Sequence, residues 1–309
     1  MNAIGGYFEL ACGHSTLYHP SGVLLNSARN ALRLIVRTYG IDHLFVPEYT
    51  CPVVYEALRK EMCAFTRYSL NAKMMPAQEF PADAFILYTN YFGVMGQAVE
   101  ELALRYPKLI VDNAQAFYSK PCGLATFYSP RKFFGLPDGG IVIGKGMTEE
   151  GLPDSVSYSR CAHLLKRHDL GASAGYADFK RNSILLSQEP ISRMSRLTHA
   201  LLGSCDTTRD MVVRKRNFAF LHAKLCSTFP FAMAQEDVPL VYPYVTQNPA
   251  LRAWLISNNH VFVAQYWPGL EDSVQKLVHG ILPLPLDSRY CEREMEQMVR
   301  LIEAFNKEA

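Results

Sequence analysis

The sequence predicts an α/β protein whose large domain is built on a mostly parallel β-sheet. Short apolar runs recur at intervals of about 20 residues through the first half of the chain, and helical patterns separate several of them. This alternation is typical of parallel strands joined by helices that cover both faces of the sheet. The length of 309 residues suits a large domain at 1–206 and a small α+β domain at 207–309.

The individual elements follow from apolar periodicity and from the turn-forming residues between them. The predicted strands of the large domain cover residues 43–47, 64–68, 85–88, 109–111 and 124–128. Its predicted helices cover residues 26–39, 53–62, 97–106, 153–166 and 177–188. In the small domain, short strands at 240–245 and 261–264 alternate with helices, of which the longest cover residues 207–226 and 289–305.

The composition indicates an ordinary soluble globular protein, with 49% apolar and 19% charged residues. A net charge of +2 predicts neither a nucleic-acid nor an acidic partner. No apolar run reaches the roughly 18 residues of a membrane-spanning helix, and the N-terminus lacks signal-peptide features. The eight cysteines form no C-x-x-C pair, which indicates reduced thiols in the cytoplasm. The histidines show no metal-binding spacing, so we predict no metal site.

Asp112 and Lys132 carry the strongest chemical signal in the sequence. Asp112 follows the apolar run 109–111, and Lys132 lies just past the predicted strand 124–128. Because parallel strands end at the same edge of a sheet, both side chains are expected to face one crevice. Pyridoxal phosphate needs a lysine for its Schiff base and an acid opposite its pyridine nitrogen. The spacing alone also fits a surface loop with a strand-ending aspartate. The adjacent Arg131 cannot replace the lysine, because a guanidinium does not deprotonate to form an imine.

A second candidate ligand site is the start of the helix at 26–39. Asn26 or Ser27 would make a good N-cap, and the free backbone N–H groups of a helix start suit a phosphate. Arg29 would add a charge-assisted hydrogen bond to such a ligand. The alternative is a capped amphipathic helix with Arg29 in solvent.

Two motifs resemble those of the DegT/DnrJ/EryC1/StrS sugar aminotransferases, which are fold-type-I enzymes that use pyridoxal phosphate. The segment Asp112-Asn113-Ala114-Gln115-Ala116 resembles the D-A-A-Q/H-A motif of that family. Lys132 followed by Asp138-Gly139-Gly140 is similar to its K-x5-E-G-G motif, with Asp in place of Glu. The resemblance implies that Asp112 pairs with the pyridine nitrogen, that Gln115 lies against the ring, and that Lys132 forms the Schiff base.

The resemblance also implies which residues hold the cofactor's phosphate. Ser27, Ala28 and Arg29 stand in the family's S-G-T-A-A-L phosphate loop, where Ala and Arg replace the usual Gly and Thr. Many relatives carry a phosphate-binding serine five residues before the lysine, and Phe127 occupies that position here. We therefore expect Ser129 to supply the hydroxyl instead.

The cofactor ring is expected to lie near two further segments that resemble the family. One of Tyr49, Thr50 and Cys51 would cover a face of the ring, and the sequence leaves open which of the three does so. Asn90 follows the strand at 85–88 and would line the site, although a role in forming a turn is the alternative.

The implied activity is amino transfer from a donor such as glutamate to a keto acceptor, of which a nucleotide-linked keto sugar is one candidate. The resemblance implies a homodimer with its site at the subunit interface. Ile191 and Ser192 replace the family's Asn-Tyr pair, which indicates a divergent subgroup with another substrate. Two alternatives stay open, namely another pyridoxal phosphate reaction such as dehydration or elimination, and a non-catalytic binding protein on the same scaffold.

Overall fold

The computed structural model describes residues 6–13, 15–259, 261–270 and 275–308 of the chain. The outer limits of the two predicted domains, at residues 1 and 309, lie outside the described residues. All eight cysteines are free thiols. Within the described ranges, no helix has both the length and the apolar character needed to cross a membrane.

A seven-stranded mixed sheet forms the centre of the fold. Its strands are β1 (Val23–Leu25), β2 (His43–Pro47), β3 (Ala64–Tyr68), β4 (Ile86–Thr89), β5 (Leu109–Asn113), β6 (Ala125–Tyr128) and β7 (Gly140–Gly144). The strand order is β1-β7-β6-β5-β4-β2-β3. Strands β2, β3, β4, β5 and β6 run parallel to one another, whereas β7 is antiparallel to both β6 and β1. The predicted mostly parallel sheet is therefore confirmed, and β1 and β7 are additions to the predicted strands.

The described part of the chain contains ten α-helices. They are α1 (Ala28–Tyr39), α2 (Pro52–Lys60), α3 (Gly96–Arg105), α4 (Ala162–Leu170), α5 (Tyr176–Gln188), α6 (Arg196–Gly203), α7 (Thr207–Leu225), α8 (Ala250–Asn259), α9 (Gln275–Gly280) and α10 (Glu292–Glu308). The helix predicted over 153–166 was wrong in its first half, where α4 is preceded only by a short 3-10 helix at Tyr158–Arg160.

The central strands are buried on both faces, as the unbroken apolar runs predict. In β4, Leu87 packs in one cluster with α1 and α2, whereas Ile86 and Tyr88 pack in a second cluster with α3. In β5, Ile110 likewise belongs to the first cluster and Leu109 to the second. Neighbouring residues of a strand point to opposite faces, so helices must cover the sheet on both sides.

The C-terminal part of the chain contains a two-stranded antiparallel sheet of β8 (Val241–Val245) and β9 (Ile281–Pro285). The predicted strand at 261–264 was wrong, since this segment forms no strand and the Val263 carbonyl accepts a hydrogen bond from Arg252 Nε. The hydrophobic cluster under α3 continues through α7 and α10 to both strands. A domain boundary at residue 207 therefore stays a prediction.

Asp237 links this C-terminal part to the loop that follows β4. Its carboxylate accepts hydrogen bonds from the backbone N–H groups of Gly96 (3.3 Å) and Ala234 (3.0 Å). Three residues on, the Leu240 N–H donates to the Phe92 carbonyl over 2.8 Å. The Phe92 N–H in turn donates to Gln115 Oε1 over 2.7 Å. Asp237 and Leu240 therefore hold the loop whose Phe92 N–H fixes the side chain of Gln115, one of the candidate site residues.

We expect Asp237→Asn to stabilise the protein at neutral pH and not in acid. Burial raises the pKa of Asp237 from 3.8 to about 6. The protonated Asp237 carboxyl makes its full contribution to the free energy of unfolding below the unfolded-state pKa. This contribution is lost as pH rises through about 6. The amide keeps an oxygen acceptor and removes the charge, so the unfolding free energy should rise by roughly 1–2 kcal/mol at neutral pH. Urea unfolding at neutral pH and near pH 4 would measure it, and an equal effect at both would contradict the assignment.

Candidate active site

The carboxyl ends of the parallel strands form the edge at which the predicted site residues meet. Asp112 lies in β5 and pairs with Phe127 of the parallel neighbour β6, after which the chain continues into Ser129 and Lys132. The prediction that Asp112 and Lys132 emerge at the same edge of the sheet is thus confirmed. Asn90 follows β4, and Tyr49, Thr50 and Cys51 follow β2 at this edge.

Asp112 is a buried carboxylate. Its Oδ1 accepts a hydrogen bond from the Ala114 N–H over 2.8 Å. Burial raises its pKa, and the positive charge of Lys132 and the Ala114 N–H offset part of that rise. A buried carboxylate of this kind gains from a second cationic group close by.

Lys132 stands at the wall of a large cleft. It ends a short 3-10 helix, Pro130–Lys132, and its N–H donates to the Ser129 carbonyl over 3.1 Å. The side chain is exposed and lines a cleft of about 1090 Å³ together with Arg131, Tyr176 and Tyr266. An accessible primary amine beside a cavity of this size can react with a small molecule.

Cys51 is the last of the three residues that follow β2; it directly precedes α2 and is partly buried. Burial raises the pKa of its thiol, Lys132 and Arg29 lower it, and Asp112 raises it. Tyr49 instead packs into the interior against Tyr91, at a ring distance of 5.6 Å. We define the candidate site as Asp112 and Lys132 at the sheet edge, Cys51 before α2 and Arg29 in the first turn of α1.

Thr50 and Gln115 each have a buried polar atom without a partner among the described residues. These atoms are Thr50 Oγ1 and Gln115 Nε2. The other end of the Gln115 amide is fixed by the Phe92 N–H, which prevents the side chain from turning to satisfy Nε2 internally. Buried polar groups are nearly always hydrogen-bonded, so unpaired ones at one sheet edge indicate a ligand.

Asn90 is already engaged inside the protein. Its Nδ2 donates to Ser119 Oγ over 3.2 Å, and its Oδ1 accepts from the Met95 N–H over 3.0 Å. These bonds fix the turn after β4, which favours the turn-forming alternative. One N–H and one lone pair are left for a ligand, and its place in the site stays a prediction.

Helix α1 begins beside the segment that carries the lysine. The side chain of Ser27 caps the helix by accepting the Asn30 N–H over 3.3 Å, and Ala28 is the first helical residue. Arg29 is partly buried, and its Nη1 is fully buried without a partner among the described residues. Burial lowers the pKa of Arg29, and Glu56 and Cys51 oppose that shift. The alternative of Arg29 in solvent was therefore wrong.

The Asp138-Gly139-Gly140 turn holds α1 in that position. Gly139 has a φ of +118° and donates its N–H to the Asn26 carbonyl over 2.9 Å. A Cβ on Gly140 would lie 2.2 Å from the carbonyl carbon of Ser27, so only glycine fits there. The buried carboxylate of Asp138 pairs with Arg160 (2.5 Å) and accepts a hydrogen bond from Thr198. The acidic residue of the motif thus supports the turn.

Sequence reasoning missed Arg131 and Arg160. Arg160 is buried and also bonds to Glu189 over 3.0 Å. Arg131 has a fully buried Nε without a partner among the described residues. Burial and the neighbouring Arg29 lower its pKa to about 10. The sequence pattern does not distinguish these two arginines from solvent-exposed ones, because their burial depends on how α1 and the segment 155–160 pack.

No protein-family model and no curated protein matches the sequence. Solved structures do resemble the fold. DesV from S. venezuelae is 17% identical with a TM-score of 0.64, over 92% of this chain and 84% of that one. NtdA from Bacillus subtilis, solved with bound cofactor PMP, is 15% identical with a TM-score of 0.64, over 91% and 73%.

A DegT DnrJ EryC1 StrS aminotransferase from Brucella abortus is 14% identical to this chain. Its TM-score is 0.60, and the match covers 92% of this chain and 85% of that one. At such identities these likenesses bear on the fold. They confirm the predicted α/β architecture with its large, mostly parallel sheet, and the chain therefore has the fold of the DegT/DnrJ/EryC1/StrS aminotransferases.

Proposed function

We propose that the protein is a cytoplasmic aminotransferase that uses pyridoxal phosphate. It would take an amino group from a donor such as glutamate and give it to a keto acceptor of the nucleotide-linked sugar class. The observation that carries the proposal is the meeting of Asp112 and Lys132 at one edge of the sheet, beside the start of α1 that carries Arg29. An acid, an amine and a guanidinium match the ring nitrogen, the aldehyde and the phosphate of this cofactor.

The described residues fit the cofactor in charge as well as in type. Burial raises the pKa of Asp112, so a protonated ring nitrogen beside it would supply the missing positive charge. The buried Nη1 of Arg29 lacks an acceptor among the described residues, and a phosphate oxygen would provide one. Ser129 is half-buried before Lys132 and is our candidate for a further phosphate contact.

The cofactor, when bound, draws electrons from the substrate carbon through its protonated ring nitrogen. Asp112 would hold the proton at that nitrogen through its buried carboxylate. Lys132 would hold the cofactor through its amine, and the same amine would move a proton on the substrate's α-carbon. Gln115 would position the ring, since the Phe92 N–H fixes its amide.

A homodimer is part of the proposal, because the lysine side of the molecule carries exposed apolar side chains. Leu165 of α4 and Tyr176 and Ile184 of α5 are all exposed, and Tyr176 lines the same cleft as Lys132. A second copy that covers α4 and α5 would bury these groups and enclose the open side of the site.

The first prediction from the proposed function concerns covalent attachment to Lys132. Borohydride reduction of the protein with pyridoxal phosphate should fix the cofactor on Lys132, located by peptide mass spectrometry. Lys132→Ala should lose this adduct. Lys145→Ala is the matched control, because Lys145 is exposed just past β7 and should leave the adduct intact. An unchanged adduct in Lys132→Ala would overturn the assignment.

The second prediction concerns Asp112→Asn. This variant should still bind the cofactor, but amino transfer should fall by roughly a hundredfold or more, since the amide cannot keep the ring nitrogen protonated. Because the folded-state pKa of Asp112 is raised, its ionisation costs stability at neutral pH. The cofactor-free variant should therefore unfold at the same or a higher temperature than wild type. Full glutamate half-reaction rates in this variant would refute the role.

The third prediction concerns assembly. Light scattering after size exclusion should give the mass of two chains for the wild type and one chain for Leu165→Glu and Tyr176→Glu, because a buried charge opposes association. Leu104→Glu is the control, since Leu104 is exposed on α3 and lies outside the α4 and α5 surface. A monomeric, fully active wild type would exclude the dimer.

A further inference from the structure

Two arginines from different elements each carry a buried nitrogen that no described residue pairs. Arg29 lies in the first turn of α1, and its Nη1 is fully buried. Arg131 lies in the 3-10 helix directly before Lys132, and its Nε is fully buried. Guanidinium N–H groups are only donors, so both nitrogens require acceptors that the described part of the chain does not supply.

The segments that carry Arg29 and Arg131 pack against the same turn. Gly139 donates its N–H to the Asn26 carbonyl, and a Cβ on Gly139 would lie 3.2 Å from the Pro130 side chain. Burial, Arg29 and Arg160 together lower the pKa of Arg131 to about 10, and Asp138 opposes them. Arg131 remains charged at neutral pH. Asp138 neutralises it poorly, because its carboxylate already pairs with Arg160 and bonds to Thr198. The pocket therefore has excess positive charge in the free protein.

The start of α1 adds to this positive field. Its free N–H groups and dipole favour an anion at the same end of the helix that carries Arg29. The Gly139 N–H bonds to Asn26, and Gly140 packs on Ser27, so the helix start is fixed beside the lysine segment. The first turn of α1 and the 3-10 helix of Arg131 therefore both lie against the turn at residues 138–140.

We propose that Arg29 and Arg131 form a two-arginine cradle for the dianion of a phosphate monoester, and that Arg131 binds the phosphate of the cofactor whose carbonyl reacts with Lys132. The inference rests on the proposed function and extends it to a residue outside the predicted phosphate loop. Two guanidinium groups match two negative charges, and planar forks suit phosphate oxygens. A phosphate monoester has a second pKa of about 6, so the dianion dominates at neutral pH.

Inorganic phosphate is the first probe, titrated by calorimetry into the full-length protein freed of cofactor. Arg131→Gln should weaken phosphate binding by roughly tenfold or more, the loss expected for a charge-assisted hydrogen bond. Arg167→Gln is the matched control, because Arg167 is exposed on α4 and lines the same cleft. Equal affinity in wild type and Arg131→Gln, or an equal loss in Arg167→Gln, would overturn the cradle.

The stability of the free protein separates a binding role from a structural one. Arg131 is repelled by Arg29, and the Asp138 carboxylate that acts on it already pairs with Arg160, so Arg131→Gln without phosphate should unfold at no lower temperature than wild type. Arg131→Lys keeps the charge without the fork and should bind phosphate with intermediate affinity. A large drop in the unfolding temperature of both cofactor-free variants would indicate a structural arginine and refute the proposal.

A comparison of pyridoxal phosphate with pyridoxal separates the cradle from the proposed function. Wild type should prefer the phosphorylated form, and Arg131→Gln should lose most of that preference. If wild type forms no adduct with either compound but Arg131 governs phosphate binding, the cradle stands and the proposed function fails. If the adduct forms on Lys132 and Arg131→Gln retains the full preference, the function stands and the cradle fails.

Discussion

The close approach of Gly140 to the backbone of Ser27 is the constraint on which the candidate site depends. Any side chain at residue 140 would collide with the carbonyl carbon of Ser27, at 2.2 Å from its Cβ. The left-handed backbone of Gly139 turns the chain so that its N–H reaches Asn26. Together these two glycines hold the start of α1 beside the segment of Lys132. The arrangement of Arg29, Arg131 and Lys132 follows from this packing.

The ion pair of Asp138 and Arg160 fixes the same turn from the other side. A buried ion pair is costly to desolvate, and further hydrogen bonds offset part of that cost. Here Thr198 donates to Asp138, and Arg160 donates to Ser155 over 3.0 Å and to Glu189, although its buried Nε has no partner among the described residues. The acidic position of the motif is therefore explained by support of the turn, and its carboxylate, already paired with Arg160, offsets the charge of Arg131 only in part.

The parts of the fold that depend on local pattern could be predicted from the sequence. Apolar runs and turn residues located the central strands, and the rule that parallel strands end at one edge brought Asp112 and Lys132 together. Two of the errors lie in segments that make a side-chain contact with a distant part of the chain. Arg160 reaches Asp138 from a segment that was predicted to be helical, and Arg252 binds the carbonyl of Val263 where a strand was predicted.

The side chains of the site show the same division. Residue type alone predicted Asn26 or Ser27 as the helix cap, because capping is a local interaction, and Ser27 is the cap. The burial of Arg131 could not be read from its position beside an exposed lysine. It depends on how α1 packs against the turn at residues 138–140, a contact between segments more than a hundred residues apart. Asn90 shows the converse, since its turn-forming bonds leave little for a ligand.

In the protein without a ligand, the charged forms of Asp112 and Arg131 are each less favourable than in water. Burial raises the pKa of Asp112 at one side and lowers the pKa of Arg131 at the other, so the folded protein disfavours both charged forms. A ligand with a protonated nitrogen at one end and a phosphate at the other would relieve both costs at once. The opposed pKa shifts of Asp112 and Arg131 are thus in keeping with the proposed cofactor, whose ring nitrogen and phosphate carry the complementary charges.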